Sequence, residues 1–254
     1  MTMSYAHGAC DTPLLGETIG ANLEATATRV PDAEALVCCH QGVRYTYAEF
    51  DSAVDRLAAA LLAAGLARGD RLGVWSPNRA EWVLIQYATA KIGVILVNIN
   101  PAYRTSELAY ALEHSGCRMV IAARSFKSSD YVAMLDQVMP TIGGALERTV
   151  FFGSEEWEAL AAGEGGDVSA VRAASAQLDF DDPINIQYTS GTTGNPKGAT
   201  LTHHNILNNG FFVGELLDYG ESDRVCVPVP LYHCFAMVLG CLACTSHGAC
   251  IVLP

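Results

Sequence analysis

The sequence predicts an α/β protein, a sheet with helices packed on its faces. From Arg71 onward, short apolar runs alternate with longer segments of helical period, the pattern of strands connected through helices. One such segment, residues 79–92, is apolar nearly all round, as a helix buried against a sheet must be. Half of the 254 residues are apolar and only 17% are charged, enough to bury a real core and too apolar for a disordered chain.

Taken in order, residues 17–29 read as a helix stopped by Pro31, and residues 35–39 as a strand. His40-Gln41-Gly42 is a turn into Val43-Arg44-Tyr45, a hairpin signal. Thr46 and Glu49 form a capping box, after which Phe50, Val54, Leu57 and Leu61 share one helical face until Gly65 ends it. A strand over 71–75 leads through the turn Ser76-Pro77-Asn78 into the buried helix 79–92. Residues 94–97 form a buried strand, 105–115 a helix ended by Gly116, and 118–122 another strand. Helices over 128–138 and 155–161 flank a strand at 149–152. The Gly- and Ala/Ser-rich residues 163–177 are the most linker-like part, read as a surface insertion because the alternation resumes after them. A strand at 184–188 precedes a Gly- and Thr-rich loop; a helix over 202–217, a strand at 225–229, a helix at 235–244 and a strand at 249–253 complete the chain.

Composition narrows the function classes. A net charge of −12 argues against nucleic acid or an anionic membrane surface as partner, since both would repel the chain. Nine cysteines, an odd number without framework spacing, read as reduced and mostly buried thiols of a cytoplasmic protein. Cys241, Cys244 and His247 have a metal-like spacing but no fourth ligand in an apolar run, so packing is the reading and no metal ligand is assigned. Residues 1–10 lack the basic-then-apolar pattern of a secretory signal. The uncharged stretch 225–254 is broken by Pro228, Pro230, Gly240 and Gly248, leaving an apolar heart too short to span a membrane.

The chemistry concentrates in Tyr188-Thr189-Ser190-Gly191-Thr192-Thr193-Gly194-Asn195-Pro196-Lys197-Gly198. Glycines let backbone N–H groups approach an anion, hydroxyls add donors and Lys197 adds a compact charge: the composition of a phosphate loop. It is not a Walker A loop, because two residues lie between Gly191 and Gly194 where that motif needs four. A plain surface loop has the same composition and stays open at this point. If the following helix starts at Thr202, its positive end faces the loop. His203 and His204, adjacent on that helix, are explained by solvation or capping.

This loop, continued as Ala199-Thr200-Leu201-Thr202-His203, resembles the signature loop of the adenylate-forming superfamily of acyl-CoA synthetases, luciferases and peptide-synthetase adenylation domains. Pro230-Leu231-Tyr232-His233-Cys234-Phe235 resembles the aromatic-His motif beside that superfamily's acyl pocket, and Asn98-Ile99-Asn100-Pro101-Ala102-Tyr103-Arg104 is similar to its fatty-acyl branch. The resemblance implies ATP-dependent activation of a carboxylic acid, most simply a medium- or long-chain fatty acid, with transfer to coenzyme A; an aryl acid is the alternative substrate. It assigns Thr189, Ser190, Gly191, Thr192, Thr193, Gly194 and Lys197 to the ATP phosphates, Lys197 and His233 to catalysis, and Tyr232 and His233 to the acid. A lone histidine in an apolar segment is otherwise more often a core residue.

The family fold implies two α/β subdomains, one at 71–218 and nearly complete, the other at 11–65 with 221–254 and incomplete because the chain is truncated. Family members continue with the segments that hold Mg2+, adenine, ribose and coenzyme A and with a C-terminal domain, none of which is found here. The expectation is therefore the N-terminal half of an acyl-CoA synthetase, inactive alone and prone to self-association through its open sheet edge. A non-catalytic phosphate-binding fragment is the competing reading.

Overall fold

The computed structural model describes residues 11–189 and 195–254. Helix α1 (Ile19–Arg29) is capped by Thr18, and β1 (Glu34–Cys38) and β2 (Val43–Thr46) form the expected antiparallel hairpin. In α2 (Tyr47–Ala63) both capping-box bonds are present: Glu49 N–H donates to Thr46 Oγ1 (3.2 Å) and Thr46 N–H to Glu49 Oε2 (2.8 Å). Its predicted face, Phe50, Val54, Leu57 and Leu61, is completely buried.

Strand β3 (Arg71–Trp75) feeds α3 (Ala80–Ile92), whose residues are buried on every side because α1, α2 and the sheet enclose it. Gly93 closes α3 at φ 70°, and an added Cβ there would lie 2.6 Å from Leu178, so both conformation and space demand glycine. Next come β4 (Ile95–Ile99), buried at all five positions, α4 (Thr105–Ser115) and β5 (Met119–Ala122). A small hairpin, β6 (Ser125–Phe126) with β7 (Ser129–Asp130), precedes α5 (Tyr131–Val138), so this helix starts three residues later than the periodicity predicts. Strand β8 (Arg148–Phe151) and α6 (Glu155–Ala162) follow.

Residues 163–177 are not a linker. They contain α7 (Val168–Ser175), which packs on α2 and α3, buries Val171 and donates from Ser175 Oγ to the Lys91 carbonyl (2.6 Å). Its low-complexity composition hid a helix that buries a single apolar residue.

Strand β9 (Pro183–Thr189) pairs antiparallel with β10 (Lys197–Thr202), a strand the sequence reading missed. The hairpin brings a correction. Lys197 pairs with Thr189 at one end and Thr202 with Pro183 at the other. Helix α8 (His203–Leu217) therefore begins about 16 Å of strand away from the loop and cannot lend it a dipole. An edge strand of Lys, Gly, Ala and Thr has too little apolar alternation to be recognised.

The last elements are β11 (Arg224–Cys226), shorter than predicted, a π-helix (Phe235–Leu242) running into α9 (Ala243–His247), and β12 (Cys250–Leu253). One sheet has the order β10-β9-β4-β3-β5-β8, parallel except for β10; the other has β11-β12-β1-β2, parallel except for β2.

Helix α8 lies against the π-helix and α9 through two glycines. A Cβ on Gly210 would sit 2.8 Å from Leu242 Cβ, and one on Gly214 would sit 2.4 Å from His247 Nδ1. Gly214→Ala is expected to destabilise the fold by about 1–3 kcal/mol in urea unfolding. On an isolated helix the same change would stabilise by about 1 kcal/mol, so the sign of the result tests the packing.

Candidate functional site

Ligands in sheets of this kind bind outside the carboxyl ends of the parallel strands. At that edge lie Ser76-Pro77-Asn78 after β3, Asn100 to Arg104 after β4, and Thr189 at the end of β9. The turn after β4 is anchored from below: Trp75 Nε1 donates to the Asn100 carbonyl (3.0 Å) and the Tyr131 hydroxyl to the Pro101 carbonyl (2.5 Å), with the two rings stacked at 3.5 Å. Over the same edge runs Pro228 to Phe235. Together they bound a cleft of about 430 Å3 lined by Pro77, Asn78, Asn100, Pro101, Phe126 and Tyr232.

Lys197 and Thr189 face each other across the mouth of the loop as a register pair, with Thr189 Oγ1 donating to the Lys197 carbonyl at 3.5 Å. The Lys197 side chain is exposed and, among the described residues, enters no ion pair. Ser190, Gly191, Thr192, Thr193 and Gly194 lie outside the described residues.

Tyr232 is half-buried in the cleft wall and His233 is exposed. Phe235 N–H donates to His233 Nδ1 (3.1 Å). A ring nitrogen that accepts from a backbone amide is unprotonated, so this bond selects the tautomer with its proton on Nε2, which has no hydrogen-bond partner among the described residues. Phe235 also lines an apolar recess of about 230 Å3 with Val213, Leu217, Tyr219, Val227 and Leu239. Among the described residues no contact joins Lys197 to His233; they share an edge of the sheet. No group of three or more His, Cys, Asp or Glu side chains among the described residues is placed to hold a metal ion.

The sequence profile of the family described as AMP-binding enzyme matches residues 23–254. The chain belongs to the AMP-binding enzyme family. It is 44% identical over 274 aligned residues to a Danio rerio protein named medium-chain acyl-CoA ligase ACSF2, mitochondrial, a match covering 100% of this chain and 45% of that one. The Homo sapiens protein of the same name is 40% identical, with 99% of this chain and 45% of that protein covered. A solved Mycobacterium tuberculosis fatty acyl CoA synthetase superposes with a TM-score of 0.79 at 26% identity, over 93% of this chain and 44% of that one. The chain thus spans about 45% of the length of the curated relatives it matches.

The expected cytoplasmic location of this AMP-binding enzyme is corrected by those names, which place the relatives in mitochondria. Reduced cysteines argue against an oxidising compartment but do not choose among reducing ones.

Sequence reasoning missed the residues of the AMP-binding enzyme that brace the loop. The Tyr188 hydroxyl donates to the Ala111 carbonyl (3.0 Å), and burial pushes its pKa up to about 12, so it stays a donor. The Tyr110 hydroxyl donates to the Pro196 carbonyl (3.1 Å), and Tyr110 stacks on His114 one turn along α4. Both ends of the loop are thereby tied to α4. The spacing of Tyr110 and His114 was the available signal, but on a helix it reads first as packing. His203, set aside as a capping residue, does cap, though not its own helix: its Nδ1 accepts from Ile19 N–H of α1 (3.2 Å), and burial lowers its pKa to about 4.

Proposed function

We propose that this chain is the N-terminal half of an acid–thiol ligase that activates a medium-chain fatty acid. A carboxylate oxygen attacks the α-phosphorus of ATP, the bond to the bridging oxygen breaks and pyrophosphate leaves; the coenzyme A thiolate then attacks the acyl carbonyl and expels AMP. Two anions must approach and a third must depart, so the site needs fixed donors at the leaving phosphates and at the carboxylate.

The observation that carries this reading is the hairpin mouth, which sets Thr189 and the exposed Lys197 at the carboxyl edge of the sheet. There Lys197, with the loop hydroxyls and amides of residues 189–194, takes the pyrophosphate. His233 Nε2–H donates to the acid carboxylate, Tyr232 lines the acid's path, and the apolar recess behind Phe235 receives the alkyl chain. The medium-chain assignment rests on the names of the relatives. Mg2+ accompanies ATP, and no residue of this chain is assigned to it, to adenine or to coenzyme A.

The test is ATP–pyrophosphate exchange by the full-length protein over a series of straight-chain and aryl acids. Exchange should depend on acid and peak at medium chain length, and this chain alone should show none. Failure of every acid to support exchange would leave a phosphate-binding module and end the ligase reading.

A further inference from the structure

We infer that Asn78 and Asn98 are positioning residues that aim His233 at the acid, an inference that rests on the proposed role of His233. The segment from Pro228 to Phe235 has little of its own to hold it. Pro228 and Pro230 remove two backbone donors and bar it from a sheet ladder. Just before it, Val227 N–H donates to the Val252 carbonyl (2.8 Å), the last backbone bond to the smaller sheet among the described residues.

Side-chain amides supply what a neighbouring strand would. The Asn78 carboxamide donates from Nδ2 to the Val229 carbonyl (2.8 Å) and accepts at Oδ1 from Leu231 N–H (2.7 Å). It thus grips the backbone on both sides of Pro230, with the two-residue spacing of a sheet pair. Asn98 Nδ2 donates to the Tyr232 carbonyl (3.2 Å), and its own orientation is set by Asn185 Nδ2, which donates to Asn98 Oδ1 (3.0 Å). Asn98 and Asn185 are each 1% exposed inside a parallel sheet, where apolar residues are the rule. Their cost is offset only if the bonds they make matter.

From that grip the turn is built outward. Leu231 is fully buried as a plug, His233 N–H donates to the Pro230 carbonyl (3.1 Å), and Phe235 N–H orients the ring. The placement of His233 Nε2 therefore depends on two amides fixed at the ends of adjacent strands β3 and β4.

The experiment is a double-mutant cycle in the full-length ligase. Asn78→Ala should lower kcat/KM for the acid about 10-fold, since small displacements of a reacting group have effects of that order. KM for ATP should move by less than about 2-fold, because the phosphate loop is braced separately. In a His233→Ala background the same change should cost less than about 2-fold, because a residue that acts through His233 has nothing left to aim. Should Asn78→Ala fail to fold, Asn78→Asp, which keeps the shape and the acceptor for Leu231 N–H, runs the same cycle. Equal losses in the two backgrounds, or parallel losses for acid and ATP, overturn the positioning role while leaving His233 in place. If His233→Ala alone leaves acid kinetics intact, the assignment of His233 itself falls, and the positioning role with it.

Discussion

If the proposed ligase reading holds, Lys197→Ala in the full-length protein is expected to slow ATP–pyrophosphate exchange by about 10²–10³-fold, the cost of losing one fixed donor at developing charge. Acid binding should change far less. The chain's net charge of −12 repels a polyphosphate, so attraction at the loop has to be local. On the proposed reading Lys197 supplies it, and the register with Thr189 and the bond from Tyr110 to the Pro196 carbonyl hold its backbone in a defined place. Its side chain is exposed on an edge strand, so the substitution should shift stability by no more than about 0.5 kcal/mol. A large kinetic loss without a stability loss separates a site residue from a structural one. Exchange at the unsubstituted rate would remove Lys197 from the phosphates.

The main layers of this fold were legible because they follow from local chemistry. The capping box at Thr46, the buried run of β4 and the stop at Gly116 each state their structure in a few residues. What stayed hidden is decided by partners distant in sequence. Strand β10 is defined by β9 rather than by its own pattern, and α7 by the groove between α2 and α3. For the site, the sequence marked residues whose type is chemically suggestive, Lys197 and His233. It assigned no site role to Asn78, Asn98 and Tyr110, whose hydrogen bonds reach partners between 86 and 153 residues away. An asparagine before a helix reads as a turn residue until the segment it grips is seen.

Lys91→Met is expected to destabilise the protein by about 3 kcal/mol at neutral pH, the lower end for breaking a buried ion pair, because the acids are partly exposed. The Lys91 side chain is 0% exposed, and its Nζ lies 2.5 Å from Asp55, 2.7 Å from Asp51 and 3.1 Å from Glu24. Helices α1, α2 and α3 therefore meet on one cation, and α1 comes so close that a Cβ on Gly20 would lie 2.9 Å from Lys91 Cγ. Burial pulls the Lys91 pKa down, but Asp51 and Asp55 outweigh it and hold it above the ordinary lysine value. A raised lysine pKa contributes stability that is complete below the unfolded value and fades as pH rises through the folded one.

Methionine fills the space and leaves three carboxylates facing one another. Burial already raises the pKa of Asp51 and the Lys91 cation opposes that rise, so without the lysine the variant should regain stability as pH falls from 7 toward the carboxylate range. Unfolding midpoints in urea at pH 7 and pH 5 check this. Adding Asp51→Asn and Asp55→Asn to Lys91→Met should restore much of the loss at pH 7 by removing the repulsion that the single change exposes. A single variant as stable as the parent, with no pH dependence of its own, would mean that the three acids never needed the lysine.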